Sequence, residues 1–237
     1  MTATRMRLAA LLAVLACVVL PAAGQAAGRV GGLARYWDFT DGNDLRDLIG
    51  YWAPGPFHVQ LEYWDFLDKD TDDQFRPEFG IHLRDRRRSA YNFVYRHEGR
   101  RQDRLWIGTD QVLTGHIVGR AEVGPIFNDD NKTLWVYDVG ADYYWGSWNF
   151  ASITVVRDPR SGGLWVVPMR VRLANERNDW IQATLAPASE RSLGWALDGK
   201  RGWAIAGIER NSRYDFTDED NLIFTVGVEF VVPRPRE

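Results

Sequence analysis

The stretch Phe57-His58-Val59-Gln60-Leu61-Glu62-Tyr63 decides the fold class. Val59, Leu61 and Tyr63 take one parity, and His58, Gln60 and Glu62 take the other. Successive strand side chains point to opposite faces, so this segment reads as a strand with one apolar face and one charged face. A helix would instead group its apolar residues every three or four positions.

The same two-residue beat continues outward from this stretch. Phe79, Ile81 and Leu83 oppose Glu78, Gly80, His82 and Arg84, while Tyr91, Phe93 and Tyr95 oppose Asn92 and Arg96. Trp135, Tyr137, Val139, Ala141 and Tyr143 oppose Asp138, Gly140 and Asp142. Leu222, Phe224, Val226, Val228 and Phe230 oppose Thr225, Gly227 and Glu229. Repeated over about twelve segments between 57 and 232, the pattern predicts an all-β, antiparallel transmembrane β-barrel with a polar interior. The expected segments are 57–66, 74–84, 88–97, 102–110, 112–122, 133–144, 147–157, 162–173, 178–186, 190–198, 201–211 and 220–232. Glycine interleaved with charge, as in Glu78-Gly80-His82-Arg84, suits a crowded wet lumen better than a solvated outer face. The competing all-β architecture is a secreted β-sandwich or lipocalin-like binding protein, with the aromatic residues inside and the charges in water.

The connections point the same way. Asp85-Arg86-Arg87, Trp145-Gly146, Asn175-Glu176-Arg177 and Asp198-Gly199-Lys200 read as tight turns at one end of the strands. The longest connections, 67–73, 124–132 and 211–220, fall at the other end. Short periplasmic turns and longer external loops are the habit of outer-membrane barrels.

Two further segments stand outside this pattern. Arg5 and Arg7 precede an apolar run from Leu8 to Leu20, and small residues follow to Ala27. This order reads as a signal peptide over 1–27, cut near Ala26 or Ala27. Cys17, the single cysteine of the chain, lies inside it. Residues 28–56 form a separate N-terminal segment. There Leu45, Leu48, Ile49 and Trp52 follow helical spacing after Asp41 and Asn43, so a short amphipathic helix fits. A lumen plug and an extra β-hairpin through Tyr36-Trp37-Asp38-Phe39 fit equally. Residues 233–237 are a C-terminal tail.

Composition bounds the function. Without Arg5 and Arg7, 27 of the 29 basic residues remain against 32 acidic ones, a balance that argues against nucleic acid as a partner. Eleven tryptophans and nine tyrosines suit the aromatic girdles of a barrel.

The C-terminal half carries a family resemblance. Val171-Arg172-Leu173, then Asn178-Asp179-Trp180-Ile181, Leu193-Gly194-Trp195 and Phe224-Thr225-Val226-Gly227-Val228-Glu229-Phe230 resemble the YaiO-type outer-membrane β-barrels. The resemblance spans roughly 138–230 and implies an integral protein of the Gram-negative outer membrane. Its implied surroundings are outer-membrane lipid and lipopolysaccharide, with the barrel-assembly machinery during biogenesis. It carries no chemical activity over to this chain. Val231 to Glu237 extend past the terminal aromatic that such chains place at Phe230.

No catalytic, cofactor-binding or metal-ligating residues emerge. The four histidines, His58, His82, His97 and His116, form no tight ligand cluster with Cys, Asp or Glu. No serine stands beside a histidine, as acyl transfer would require, and there is no phosphate-binding glycine loop. The acidic stretches 68–73 and 215–220 lack the spacing of a calcium loop. The candidate lumen-lining residues are His58, Glu62, Glu78, His82, Arg84, Arg96, Asp138, Asp142, Arg170, Arg172 and Glu229. Charges of both signs facing a narrow interior are expected to pair, because an unpaired buried charge is costly. The function expected from this set is passage or binding of small polar solutes, without catalysis or cofactor. An outer-membrane lipid-modifying enzyme is the alternative.

Overall fold

The computed structural model describes residues 28–39, 44–67, 72–84, 88–97, 102–128, 133–146, 148–157, 165–188, 193–212 and 220–232. Residues 1–27, where the sequence suggests a signal peptide, residues 233–237 and parts of several connections lie outside the described residues.

The chain forms one antiparallel sheet. Its strands are β1 (Gly28–Phe39), β2 (Leu45–Pro54), β3 (Phe57–Phe66), β4 (Gln74–Arg84), β5 (Ser89–His97), β6 (Gln102–Val112) and β7 (Ile117–Asn128). β8 (Thr133–Trp145) and β9 (Asn149–Arg157) follow, then β10, seen as Trp165–Val166 and Met169–Ala174. The last four are β11 (Trp180–Pro187), β12 (Leu193–Arg201), β13 (Ala204–Ser212) and β14 (Asp220–Val232). The two pieces of β10 are one strand. Both keep a single register with β9, Trp165 opposite Arg157 and Met169 opposite Ile153. Pro168 between them has no N–H to give to the ladder, although its carbonyl still accepts from the Thr154 N–H at 3.0 Å.

Each strand pairs with the next, and β1 pairs with β14 from Gly28 opposite Val232 to Phe39 opposite Asn221. The sheet therefore closes on itself as a barrel of 14 strands, and closure removes every sheet edge. The register gives one continuous inner face and one outer face. The outer face carries Val226 at 61% exposure, Val139 at 59% and Ile181 at 52%, whereas inward neighbours such as Asp142 are buried. A closed sheet with apolar side chains outside and charge inside is the reverse of a soluble sandwich or lipocalin. An apolar belt this extensive needs lipid around it.

At the rim away from the termini, outward tyrosines reach polar partners. Tyr95 donates to Asp103 at 2.8 Å and Tyr63 to Asp73 at 2.5 Å, and Tyr36 donates to Asp44. Amphipathic rings with a wet tip belong at a membrane interface.

Two expectations are corrected. The sheet has 14 strands rather than about twelve, because residues 28–56 take the hairpin alternative, not the helix or the plug, and join the barrel. They supply β1 and β2. The helical spacing of Leu45, Leu48, Ile49 and Trp52 arises because both faces of β2 are apolar. Leu45 and Ile49 point inward, at 1% and 6% exposure, while Leu48 and Trp52 take the outward parity of their partners Tyr63 and Val59. Two apolar faces on one strand erase the period of two.

Turn assignments shift as well. Asp198-Gly199-Lys200 lies inside β12, and the turn falls at Gly202-Trp203, where Gly202 has φ +59°. β7 runs to Asn128, so the connection there is 129–132, and the longer one is 158–164. The contrast between the two ends survives these shifts. Gly55-Pro56 and Gly202-Trp203 close hairpins at the end bearing both termini, while 67–73, 158–164 and 213–219 connect strands at the opposite end.

Candidate functional site: the charged inner face

All eleven residues singled out from the sequence carry the inward parity, but they fall into separate groups. His58, Glu62, Glu78, His82, Arg84 and Arg96 lie on β3, β4 and β5. Asp138 and Asp142 lie on β8, Arg170 and Arg172 on β10, and Glu229 on β14.

The β1–β5 wall holds a buried ion network. Asp47 is fully buried, and its carboxylate lies 3.5 Å from Arg35 on the adjacent strand. Glu62, at 3% exposure, pairs with Arg96 and accepts from the Trp64 indole N–H at 2.7 Å. Arg96 also reaches Glu78 at 3.5 Å, and Glu78 meets His58 at 3.0 Å. Arg76 is 3% exposed and stacks over the Trp64 ring at 4.0 Å. Arginines from three strands, Arg35, Arg76 and Arg96, lie among the acids Asp47, Glu62 and Glu78. Although Asp47 and Glu62 stand side by side, this supply of cations is how such charges are tolerated away from water. Gly80 makes this packing feasible, because a Cβ there would collide with the His58 ring.

Toward the end away from the termini, this wall becomes apolar. Trp37, Phe39, Leu45 and Ile223 form a buried cluster, with Trp64 and Phe66 packed against it. Trp37 stacks on Phe39 at 5.9 Å. At that end the inner face of β14, β1, β2 and β3 is therefore filled by its own side chains.

The other inner walls are looser. On β7 and β8, Arg120 bridges Asp142 at 3.2 Å and donates to Thr154 at 3.0 Å. On β12 and β14, Lys200 pairs with Glu229 at 2.5 Å, and the Tyr51 hydroxyl donates to the same carboxylate at 2.9 Å. Arg172 is held between rings, 4.3 Å from Trp180 and 5.2 Å from Phe150, and its Nε donates to Gln182 at 3.0 Å. Arg170, two residues away on the same face, is exposed and makes no ion pair with a described residue.

Sequence reading missed Arg35, Asp47, Arg76, Arg120, Asp198 and Lys200. Asp47 and Arg35 sat in the segment set apart from the barrel, and Asp198 and Lys200 sat in a supposed turn. The alternation through Arg76 and Arg120 was readable. Their pairing was not, because it depends on which strands become neighbours.

Comparison with known proteins bears on the fold. No family model and no curated protein matches the chain. Among solved structures, a mutant of the Rh. blastica porin aligns with a TM-score of 0.51 and 9% identity, over 86% of this chain and 99% of that one. The KdgM porin aligns at TM-score 0.51 and 10% identity, over 85% and 98%. A KdgM porin complex with disordered oligogalacturonate gives TM-score 0.51 and 8% identity. The chain shares the porin-like barrel fold.

Proposed function

We propose that this chain is an integral outer-membrane β-barrel that passes or binds small polar solutes without catalysis. The observation that carries this is a closed 14-stranded sheet with an apolar exterior and an inner face bearing charges of both signs, in the fold of solved porins. Its termini lie in the periplasm, on the side of the short turns. Membership of the YaiO-type barrels is part of the proposal and rests on the C-terminal motifs. The enzyme alternative draws no support from the histidines. His58, His82 and His97 bond Glu78, Asn92 and Asp103, and His116 bonds the Tyr144 carbonyl.

Membrane fractionation with heat-modifiable gel mobility tests the location. Recovery of the protein in the soluble periplasm without detergent would overturn it. Single-channel recording in planar bilayers tests passage, and ligand binding to the detergent-folded barrel tests retention. A narrow conductance is expected, because the β1–β5 wall is filled. A barrel silent in both assays that alters the lipid A of its host would shift the reading to the enzyme.

A further inference from the structure

The inner face carries acids and bases together, but they are not equally presented to a solute. Among the described residues its acids range from fully buried Asp47 to half-buried Asp138 and Asp198, and none is exposed. The charged inner-face strand residues that stay exposed are Arg29, Arg84 and Arg170. The chain has a formal charge of −3, yet the surface it turns toward its own interior is positive. Net charge and presented charge have opposite signs because the inner-face acids are less exposed than these arginines.

We propose that Arg170, Arg172 and Arg29 form an anion-selecting site on the inner wall, specific for small solutes bearing carboxylate or phosphate. The inference deepens the solute-passing reading and rests on it. Arg170 and Arg172 are alternate residues of β10, so their side chains leave the same face about 7 Å apart. Arg29 on β1 lies within electrostatic range of Arg172. Arg172 cannot swing aside, because Trp180, Phe150 and Gln182 hold it from three directions. Asp198 lies within range of Arg170 and Arg172, and Asp138 and Asp142 lie within range of Arg170. All three are less exposed than Arg170 and offset part of its charge, Asp142 being already bridged by Arg120, while Glu229 is taken by Lys200 and Tyr51. Excess positive charge on a low-dielectric wall focuses field into the lumen and concentrates anions there. A guanidinium fork matches the paired oxygens of a carboxylate or phosphate. A neutral sugar gains less, since the faces of Trp180 and Phe150 already stack on Arg172.

Reversal potentials across a KCl gradient in planar bilayers test the proposal. The wild-type barrel is expected to favour chloride, and Arg170→Glu is expected to lower the chloride-to-potassium permeability ratio several-fold. Arg177→Glu makes the same charge change on an exposed turn and is expected to leave the ratio unaltered. A potassium-preferring or unselective wild type, or an equal shift from Arg177→Glu, would overturn the site. If no channels open, the passage reading fails on its own, and binding decides the site. Titration of the detergent-folded barrel with citrate, inorganic phosphate and glucose should then give saturable binding of one or both anions, weakened by Arg170→Glu, and none of glucose. Citrate and phosphate as separate arms tell carboxylate from phosphate preference. Absence of anion binding, or binding indifferent to Arg170→Glu, would overturn the proposal. Heat-modifiable mobility of each variant confirms that it folds.

Discussion

The β1–β5 wall and the β10–β12 wall use the same residue types for different ends. In the first, Asp47, Glu62 and Arg76 are nearly or fully buried, and each charge is answered by a neighbouring strand. In the second, Arg170 stays exposed, and Arg172 is fixed by rings and an amide rather than by an acid. Arginine stabilises the barrel where a carboxylate lies opposite it, and it addresses solutes where none does. The difference follows from pairing register. Glu62 faces Arg76 across β3 and β4, whereas Arg170 faces Ser152 and Thr184.

Breaking the paired wall should have the largest effect. Glu62→Leu removes the acid opposite buried Arg76 and one of the two that pair with Arg96, a change that costs about 3–5 kcal/mol. Urea-induced unfolding in lipid vesicles would measure it, and Arg170→Glu in the same assay should lie close to wild type. Equal losses would erase the contrast between the walls.

The outer face should be indifferent to which wall it covers. Val226 lies midway along β14 with its side chain in the apolar belt. Val226→Lys there is expected to cost roughly 2–4 kcal/mol, as a cation at mid-depth in lipid does. The neighbouring Gly227→Lys should fail for another reason, since even a Cβ would press against Leu33 and the Gly32 carbonyl. Thickening the vesicle bilayer should alter the Val226→Lys loss and leave the Gly227→Lys loss unchanged. Tolerance at both positions would reverse the assignment of faces.

Within the looser wall, Arg172→Ala removes the stack on Trp180 and Phe150. It should cost only about 0.5–2 kcal/mol, the range for a cation over an aromatic ring. A blue shift of tryptophan emission should accompany it as Trp180 loses a charged neighbour. A loss as large as that of Glu62→Leu would place Arg172 with the structural network instead.

The smallest effect lies at the rim. Asp179 accepts the Gly202 N–H at 2.6 Å and an Asn175 amide at 3.2 Å, tying two adjacent turns. These bonds, the Gly202 N–H foremost, hold its carboxyl below the usual carboxylate range. Its stabilising contribution is therefore present above that range and is lost as pH falls through it. Thermal midpoints recorded from neutral pH downward should converge between wild type and Asp179→Asn at low pH. A constant gap would show that the bond does not depend on the charge.

The regular strands were legible because their two faces meet different solvents. Val139 and Asp138 cannot exchange faces without placing a charge in lipid. β1 and β2 were harder, because part of their inner face packs into the Trp37–Leu45 cluster and loses its polar mark. β10 was readable despite Pro168, since Val171 and Leu173 alternate with Arg170 and Arg172. The exact turns were not readable, because Gly199 and Gly202 look alike until the register chooses between them.

By itself, then, the sequence determined a barrel and the orientation of its faces, since side-chain parity is a local property of an extended chain. The strand count, the closure of β1 onto β14 and the pairing of each charge were decided only in the tertiary structure. Those depend on which distant strands become neighbours, and that choice sorted one set of arginines into a buried network and left another facing the lumen.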